Sequence, residues 1–555
     1  MVLRKTILSL VGLLTALSLF AQDAGSEQLQ PVKKTAADSL RLEEVVVVGF
    51  SQSKKVNLTG AVQQVNMQEV VGDRPLISTA AALQGVIPGL TISGASSPGQ
   101  PKEFNIRGTL SINGGSPLIL IDNAEGDINA LNPEDIESIS VLKDAASAAI
   151  YGARAAGGVI LITTKHPKKG DAFHLDYNFN VGFETRLTRP RAAALSDYIA
   201  AYKEAGYSSQ YWAGNGDIDR WTDLLGQYRA GTLAGVLENG MYRDADGAVY
   251  YLKEGDVFGS ALETGIMNNH TLSVSGSTDR IRYRLSGNYS HENGPMLTNK
   301  DAYTRIGLNA FVSGDVSKWF TQEATLYYTH QRRSDIMNVF CDVYSVRVHN
   351  WYPEGLMPGE FVGKSEDIIL DSPANGCLYQ PAATTQTSTP RIMLRSIFKP
   401  LKGWTITAEY TYQQEDQLFS AYTGQFTVCD AQLGTRPLPA TGKDEYQKNH
   451  ITTQYHALNL FTNYDLHLNG HNLSVVAGYN QESNSMAYQF NSVKGQTVVG
   501  VPSLQGATGE KVMKDSLSEY AIISAFGRIA YNYMGRYLIE GNCRYDGSSK
   551  FPKEN

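Results

Sequence analysis

From Gly170 onward, apolar residues recur at every second position while the positions between them carry polar and charged groups. Phe173, Leu175, Tyr177, Phe179, Val181 and Phe183 fall on one face, and His174, Asp176, Asn178, Asn180 and Gly182 on the other. Ile281, Tyr283, Leu285, Gly287 and Tyr289 stand in the same way against Arg282, Arg284, Ser286, Asn288 and Ser290. Trp404, Ile406, Ala408, Tyr410 and Tyr412 stand against Thr405, Thr407, Glu409 and Thr411. A period of two is strand chemistry, and a tilted strand of about 9–11 residues crosses a bilayer's hydrocarbon. A soluble sandwich also alternates, but its dry core would hold arginines and acids only at high cost. The interior of a water-filled barrel accepts them. The connections alternate too. A tight Met534-Gly535-Arg536 turn joins Ala525–Tyr533 to Tyr537–Tyr545, whereas 184–269, 332–390 and 415–452 are long, the asymmetry of a membrane barrel with outer loops. Residues 168–555 therefore read as an antiparallel transmembrane β-barrel.

The amino terminus agrees with export. Arg4 and Lys5 precede an apolar run from Ile7 to Phe20, followed by Ala21-Gln22, which reads as a signal peptide (residues 1–21) cleaved after Ala21. The run is short of the ~20 apolar residues of a spanning helix, and no cysteine at the cleavage site marks a lipoprotein. Mean hydropathy of −0.26 argues against a helical membrane protein, and a net charge of −7 gives no support for nucleic-acid binding. Tyrosine (31) outnumbers phenylalanine (18) and tryptophan (5), which suits surfaces with one wet and one apolar edge. The four cysteines, Cys341, Cys377, Cys429 and Cys543, have no zinc spacing. A loop disulfide between two of the first three and unpaired packing thiols both remain open.

Between leader and barrel, residues 22–42 read as a polar linker. Glu44-Val45-Val46-Val47-Val48-Gly49 is strongly β-prone and has no adjacent hairpin partner in sequence, so it reads as an unpaired strand open to edge addition by another protein. Residues 56–167 read as a compact α+β domain. Val62–Val70 alternates, Ser78–Gly85 suggests a short helix, and Val86–Ser93 a strand around Pro88-Gly89. Asn132-Pro133-Glu134-Asp135 looks like a capped helix start. Ile136–Leu142 and Val159–Thr164 are strands flanking an Ala-rich helix over Asp144–Ala156.

Ile106-Arg107-Gly108, LILID at 118–122 and VLKDAASAAIYGARAAGGVILITTK at 141–165 resemble the plug domain of TonB-dependent outer-membrane transporters. The wording is closest to the SusC/RagA branch, glycan and peptide importers of Bacteroidetes-type bacteria, and VNLTG at 56–60 fits it as well. On this resemblance the plug-motif positions are Arg107, Gly108, Asp122, Lys143, Tyr151, Gly152, Gly157 and Gly158. Glu44, Val45, Val46, Val47, Val48 and Gly49, within 43–55, are the TonB-binding box. The resemblance implies an outer-membrane location, import driven by TonB and its inner-membrane complex, a SusD-like surface lipoprotein as partner, and a glycan or peptide as ligand. It implies no cofactor. Barrels of this plugged kind close at about 22 strands, and about a dozen strand candidates are visible here, so the chain reads as the amino-terminal part of a longer protein. The small β-domain that many branch members carry before the box has no room in residues 22–42.

Two competing readings are a siderophore or cobalamin receptor of the same mechanism, and a surface adhesin or signal transducer without uptake. An enzyme is disfavoured, because no nucleophile–base or paired-carboxylate spacing is recognisable and His270, His291 and His330 are scattered along strands. Asp122–Asp127 resembles a calcium loop, but its glycine is misplaced for one and a plain acidic turn is the simpler reading. The Asn57 glycosylation sequon has no machinery in an outer membrane.

Overall fold

The computed structural model describes residues 45–48, 50–54, 61–72, 78–94, 97–108, 115–185, 192–208, 217–336, 351–424, 426–430, 433–438, 444–498 and 500–551. The signal-peptide and linker readings, Glu44, Gly49 and Cys341 lie outside them.

Eleven strands form one antiparallel meander in chain order, from His174–Glu184 to Tyr537–Ser548. Their lengths run from 11 to 24 residues, so the longest carry well past a bilayer's hydrocarbon. The sheet is inside-out by the standards of a soluble protein. Leu285, Leu308, Val312, Leu394, Leu460 and Ile529 are exposed, while Arg284, Ser286, Arg305, Asn309, Glu323 and Arg528 are buried. Register enforces this, because Leu285 faces Ala310 and Ser286 faces Asn309 across one strand pair. At one end, tight turns such as Asn469-Gly470 join the strands. Both residues have positive φ (49° and 85°), the backbone of a two-residue hairpin whose twist matches its strands. At the other end the connections are long. They are shorter than the alternation suggests, because strands such as Trp404–Thr423 and Glu445–Leu468 continue into stretches read as loop.

The amino-terminal domain is built on a five-stranded sheet. Its order is Val62–Asn66, Ile136–Leu142, Val159–Thr164, Leu118–Ile121 and Ala124–Glu125, with one parallel pair at its heart. Several local expectations are corrected here. Val62–Asn66 stops early because Asn66 caps a helix, Met67–Val71, by accepting from the Gln68 amide. Only Leu90–Ser93 of the 86–93 segment is strand. Pro133–Asp135 is a single 3-10 turn, and Asn132 donates to Thr271 (3.1 Å) instead of capping it. The Ala-rich segment is no continuous helix. One α-turn (Ala145–Ala148) gives way to two 3-10 turns broken at Gly152, whose φ is 77°.

The long connections collapse into a folded cap. Helices Leu195–Glu204 and Ile218–Arg229 bury Leu195, Ile199, Trp221 and Leu224 against Tyr251 and Trp351. A four-stranded sheet drawn from 356–370 and 426–438 completes it. Cys429 lies in this core and Cys377 in a separate cluster with Ala261. Burial, with Asp430 and Asp371 nearby, pushes the Cys429 thiol up to about 12. Iodoacetamide at pH 8 is therefore expected to leave Cys429 unmodified in the folded protein and to alkylate it in guanidinium, as read by peptide mass spectrometry. Native labelling of Cys429 at the rate of a free thiol would show that the cap core is open.

Candidate functional site

Each of the eleven wall strands touches the amino-terminal domain. In strand order, Asn178 reaches Glu134, Thr271 reaches Asn132, Arg284 reaches Asp135, and Arg305 reaches the Leu131 carbonyl. Tyr327 donates to Asp122, Arg391 to the Ile121 and Ala124 carbonyls, and Glu409 accepts from Asn123. Tyr455 receives the Glu125 amide, Glu482 pairs with Arg154, the strand carrying Phe526 packs against Ala149–Tyr151, and Arg544 donates to the Ile150 carbonyl. A flat sheet of this size would be about 48 Å wide at ~4.8 Å per strand, against a radius of gyration of ~13 Å for a domain of about 100 residues. Such a sheet meets one small domain with all its strands only by wrapping around it.

The enclosed interface is largely polar, with one apolar cluster where Leu118, Leu120 and Tyr151 meet Phe461, Val476 and Phe526. On the wall, Glu323 holds Arg282 (3.1 Å) and Arg395 (3.5 Å), and Arg395 also holds Glu409 (2.7 Å). Asp122 accepts from the Thr164 amide, the Thr164 hydroxyl and Tyr327. Burial would raise its carboxyl, but His166, these Thr164 donors and Arg395 together hold it below the usual carboxylate range. Toward the looped end, a cleft of about 140 Å³ opens between domain and wall, lined by Thr329, Gln331, Thr385, Thr387, Gln413 and Gln417. Asp127, Arg333, Arg391 and Glu415 line it as well, so the cleft offers hydroxyls, amides and charges of both signs to a polar ligand. No group of three or more His, Cys, Asp or Glu suited to a metal exists among the described residues.

A family profile, TonB-dependent Receptor Plug Domain, matches residues 54–159. These residues are a TonB-dependent receptor plug. TonB-dependent receptor P3 of Formosa agariphila is 25% identical over 538 residues, covering 93% of this chain and 48% of its own length. TonB-dependent receptor SusC of Bacteroides thetaiotaomicron is 26% identical over 550 residues, covering 93% and 50%. In fold, the RagAB peptide importer in its "open-open" state matches at TM-score 0.75 and 20% identity, over 92% of this chain and 57% of that one. The chain thus resembles SusC-type receptors in sequence and RagA in fold, a plug followed by a large antiparallel sheet, and it spans about half the length of the curated relatives it matches.

The motif residues of the plug do different physical jobs. Asp122 ties the plug sheet to Tyr327 of the wall. The Lys143 ammonium binds Gln63 and the Pro88 carbonyl inside the plug. A Cβ on Gly157 would lie 2.4 Å from the Gly115 carbonyl oxygen, so close backbone packing requires glycine there. Gly152 lets the wall approach, since a Cβ would meet the Asp546 carboxylate at 2.3 Å. Tyr151 is buried beside Phe50. Arg107 is exposed, with φ of 60°.

The segment read as an unpaired strand is paired. Val45–Val48 forms a hairpin with Ser51–Lys54, Val45 opposite Lys54 and Val48 opposite Ser51. Sequence reasoning also missed Tyr327, Arg391 and Arg395 of the wall, because an inward arginine shows only its face and not its plug partner. The cap helices did carry a signal, in the Ile218, Trp221, Leu225 spacing.

Proposed function

We propose that the full-length protein imports a large hydrophilic nutrient, an oligosaccharide or peptide, across an outer membrane. In this reading residues 1–21 are the signal peptide, 22–42 the linker, 43–55 the pulled segment, 56–167 the plug and 168–555 part of the barrel. TonB pulls on Glu44–Gly49, and a SusD-like lipoprotein sits over the loops. The observation that carries the reading is the contact of all eleven wall strands with one plug, so that along this wall a large solute passes only if the plug is displaced. Most of the named wall–plug contacts are hydrogen bonds and ion pairs that water replaces on opening, which suits a stopper that must move and return. The likeness to the RagAB peptide importer favours a nutrient over iron.

Deleting the gene in its source bacterium is expected to abolish growth on one polysaccharide or oligopeptide as sole carbon source, with growth under iron or cobalamin limitation unchanged. The reverse pattern would move the protein to the siderophore or cobalamin class, and loss of ligand binding without loss of growth to the adhesin class.

A further inference from the structure

Against this polar seam one contact stands out. Phe50, at the tip of the Val45–Lys54 hairpin, is 7% exposed. Its ring stacks on Phe526 with centroids 4.6 Å apart, and lies 5.2 Å from Phe461 and 6.0 Å from Tyr151. Phe461 and Phe526 project from the inner face of the wall, where their same-face neighbours are Asn459, Ser524 and Arg528. An apolar pair there serves neither lipid nor lumen water. Gly478 on the strand between them shapes the seat, since a Cβ would fall 2.3 Å from the Phe526 ring and 2.9 Å from Phe461. Asn463 of the wall donates to the Phe50 carbonyl at 3.2 Å, and Phe50 holds a positive φ of 61°. The tip is therefore seated jointly by the plug, through Tyr151, and by the wall.

The hairpin's register gives this seat a mechanical meaning. Both chain ends of the hairpin, at Val45 and Lys54, lie at the same end, and the tip is at the other. A pull from the amino-terminal side opens the pairs one at a time and reaches Phe50 last. We propose that Phe50 is a latch, a positioning residue that keeps the pulled segment stowed until plug and wall shift against each other. While the seat is closed, the tip holds Val45–Val48 in its own hairpin and withholds it from a strand-adding partner. When Tyr151 moves relative to Phe526, the seat opens and the segment is released. This proposal rests on the reading of Glu44–Gly49 as the pulled segment, but its test needs no TonB.

Full-length protein purified in detergent micelles, where both faces of the barrel are accessible, is digested with elastase, which cuts after small aliphatic residues, and cleavage within 45–48 is followed by mass spectrometry. Phe50→Ala and Phe526→Ala are each expected to raise the initial cleavage rate tenfold or more, with Phe50→Tyr close to wild type. Ile529→Ala, on the lipid side, leaves the rate unchanged. Phe526→Leu gives a smaller rise and serves where Phe526→Ala fails to insert. Equal rates in all variants overturn the latch. So does a rise with Phe50→Ala and none with either Phe526 variant, which would confine the effect to the hairpin's own turn. Failure of the pulled-segment reading would show separately, as uptake that survives loss of the segment.

Discussion

Deleting Glu44–Val48 from the full-length protein is expected to reduce ligand uptake to the level of a strain without TonB, while surface binding changes by no more than about twofold, the usual scale of a change away from a site. The asymmetry follows from where the segment connects. Beyond Lys54 the described chain resumes at Ala61, whose amide binds the Asp144 carboxylate, and enters Val62–Asn66. That strand lies at the edge of the plug sheet, bonded on one side only, to Ile136–Leu142. A pull through the segment peels an edge strand before it loads the centre. Each ladder bond contributes about 0.5–1.5 kcal/mol net, so sequential loss of a few opens the plug at modest force. No described residue of 45–54 lines the cleft between plug and wall, so binding there is left untouched. Radiolabelled uptake and surface binding on intact cells separate the two quantities, and unchanged uptake in the deletion would remove the coupling claim.

How much of this was legible in the sequence depends on how local each signal is. The period of two along 173–183 and 281–290 is local, and the charge on its second face rules out a dry core. Those two facts identify a wall with a wet interior. The Ala-rich 144–156 segment misleads because propensity favours a helix, whereas Gly152 breaks it where Arg544 and Asp546 of the wall approach. That is tertiary structure overriding a weak prior. Asn132 has cap chemistry, yet its side chain makes no cap bond and its amide nitrogen donates to Thr271. The partner of Val45–Val48 stayed hidden because Ser51-Gln52-Ser53-Lys54 has little β-propensity and Gly49-Phe50 is not a usual two-residue turn. The cap was unreadable as a unit, since its core joins 195–252 to 351–370 and 429 with no local mark of their meeting. Which arginine grips which plug carbonyl is set only when wall and plug are assembled.

Asp135→Ala is expected to loosen the plug more than any other single change in the wall–plug seam. The Arg284 and Asp135 side chains are 7% and 5% exposed and 2.7 Å apart, and the Ser286 hydroxyl donates to the same carboxylate oxygen at 2.6 Å. Removing the carboxylate leaves a buried guanidinium without its counter-charge, a loss of about 3–5 kcal/mol in comparable pairs. Because Arg284 belongs to the wall and Asp135 to the plug, the arginine regains water when the plug leaves. The penalty therefore falls on plug retention, and the barrel itself is spared. With a urea dependence of about 1–3 kcal/mol per molar, the midpoint for plug release drops by on the order of 1–5 M. Conductance of the full-length protein in planar bilayers, titrated with urea, reads that midpoint. The double change Asp135→Leu with Arg284→Met removes both charges, and it is expected to recover most of the loss because an apolar pair of similar volume needs no desolvation of ions. A single variant with the wild-type midpoint would show that water already reaches the pair. A double variant as weak as the single would show that shape, and not uncompensated charge, holds this part of the seam.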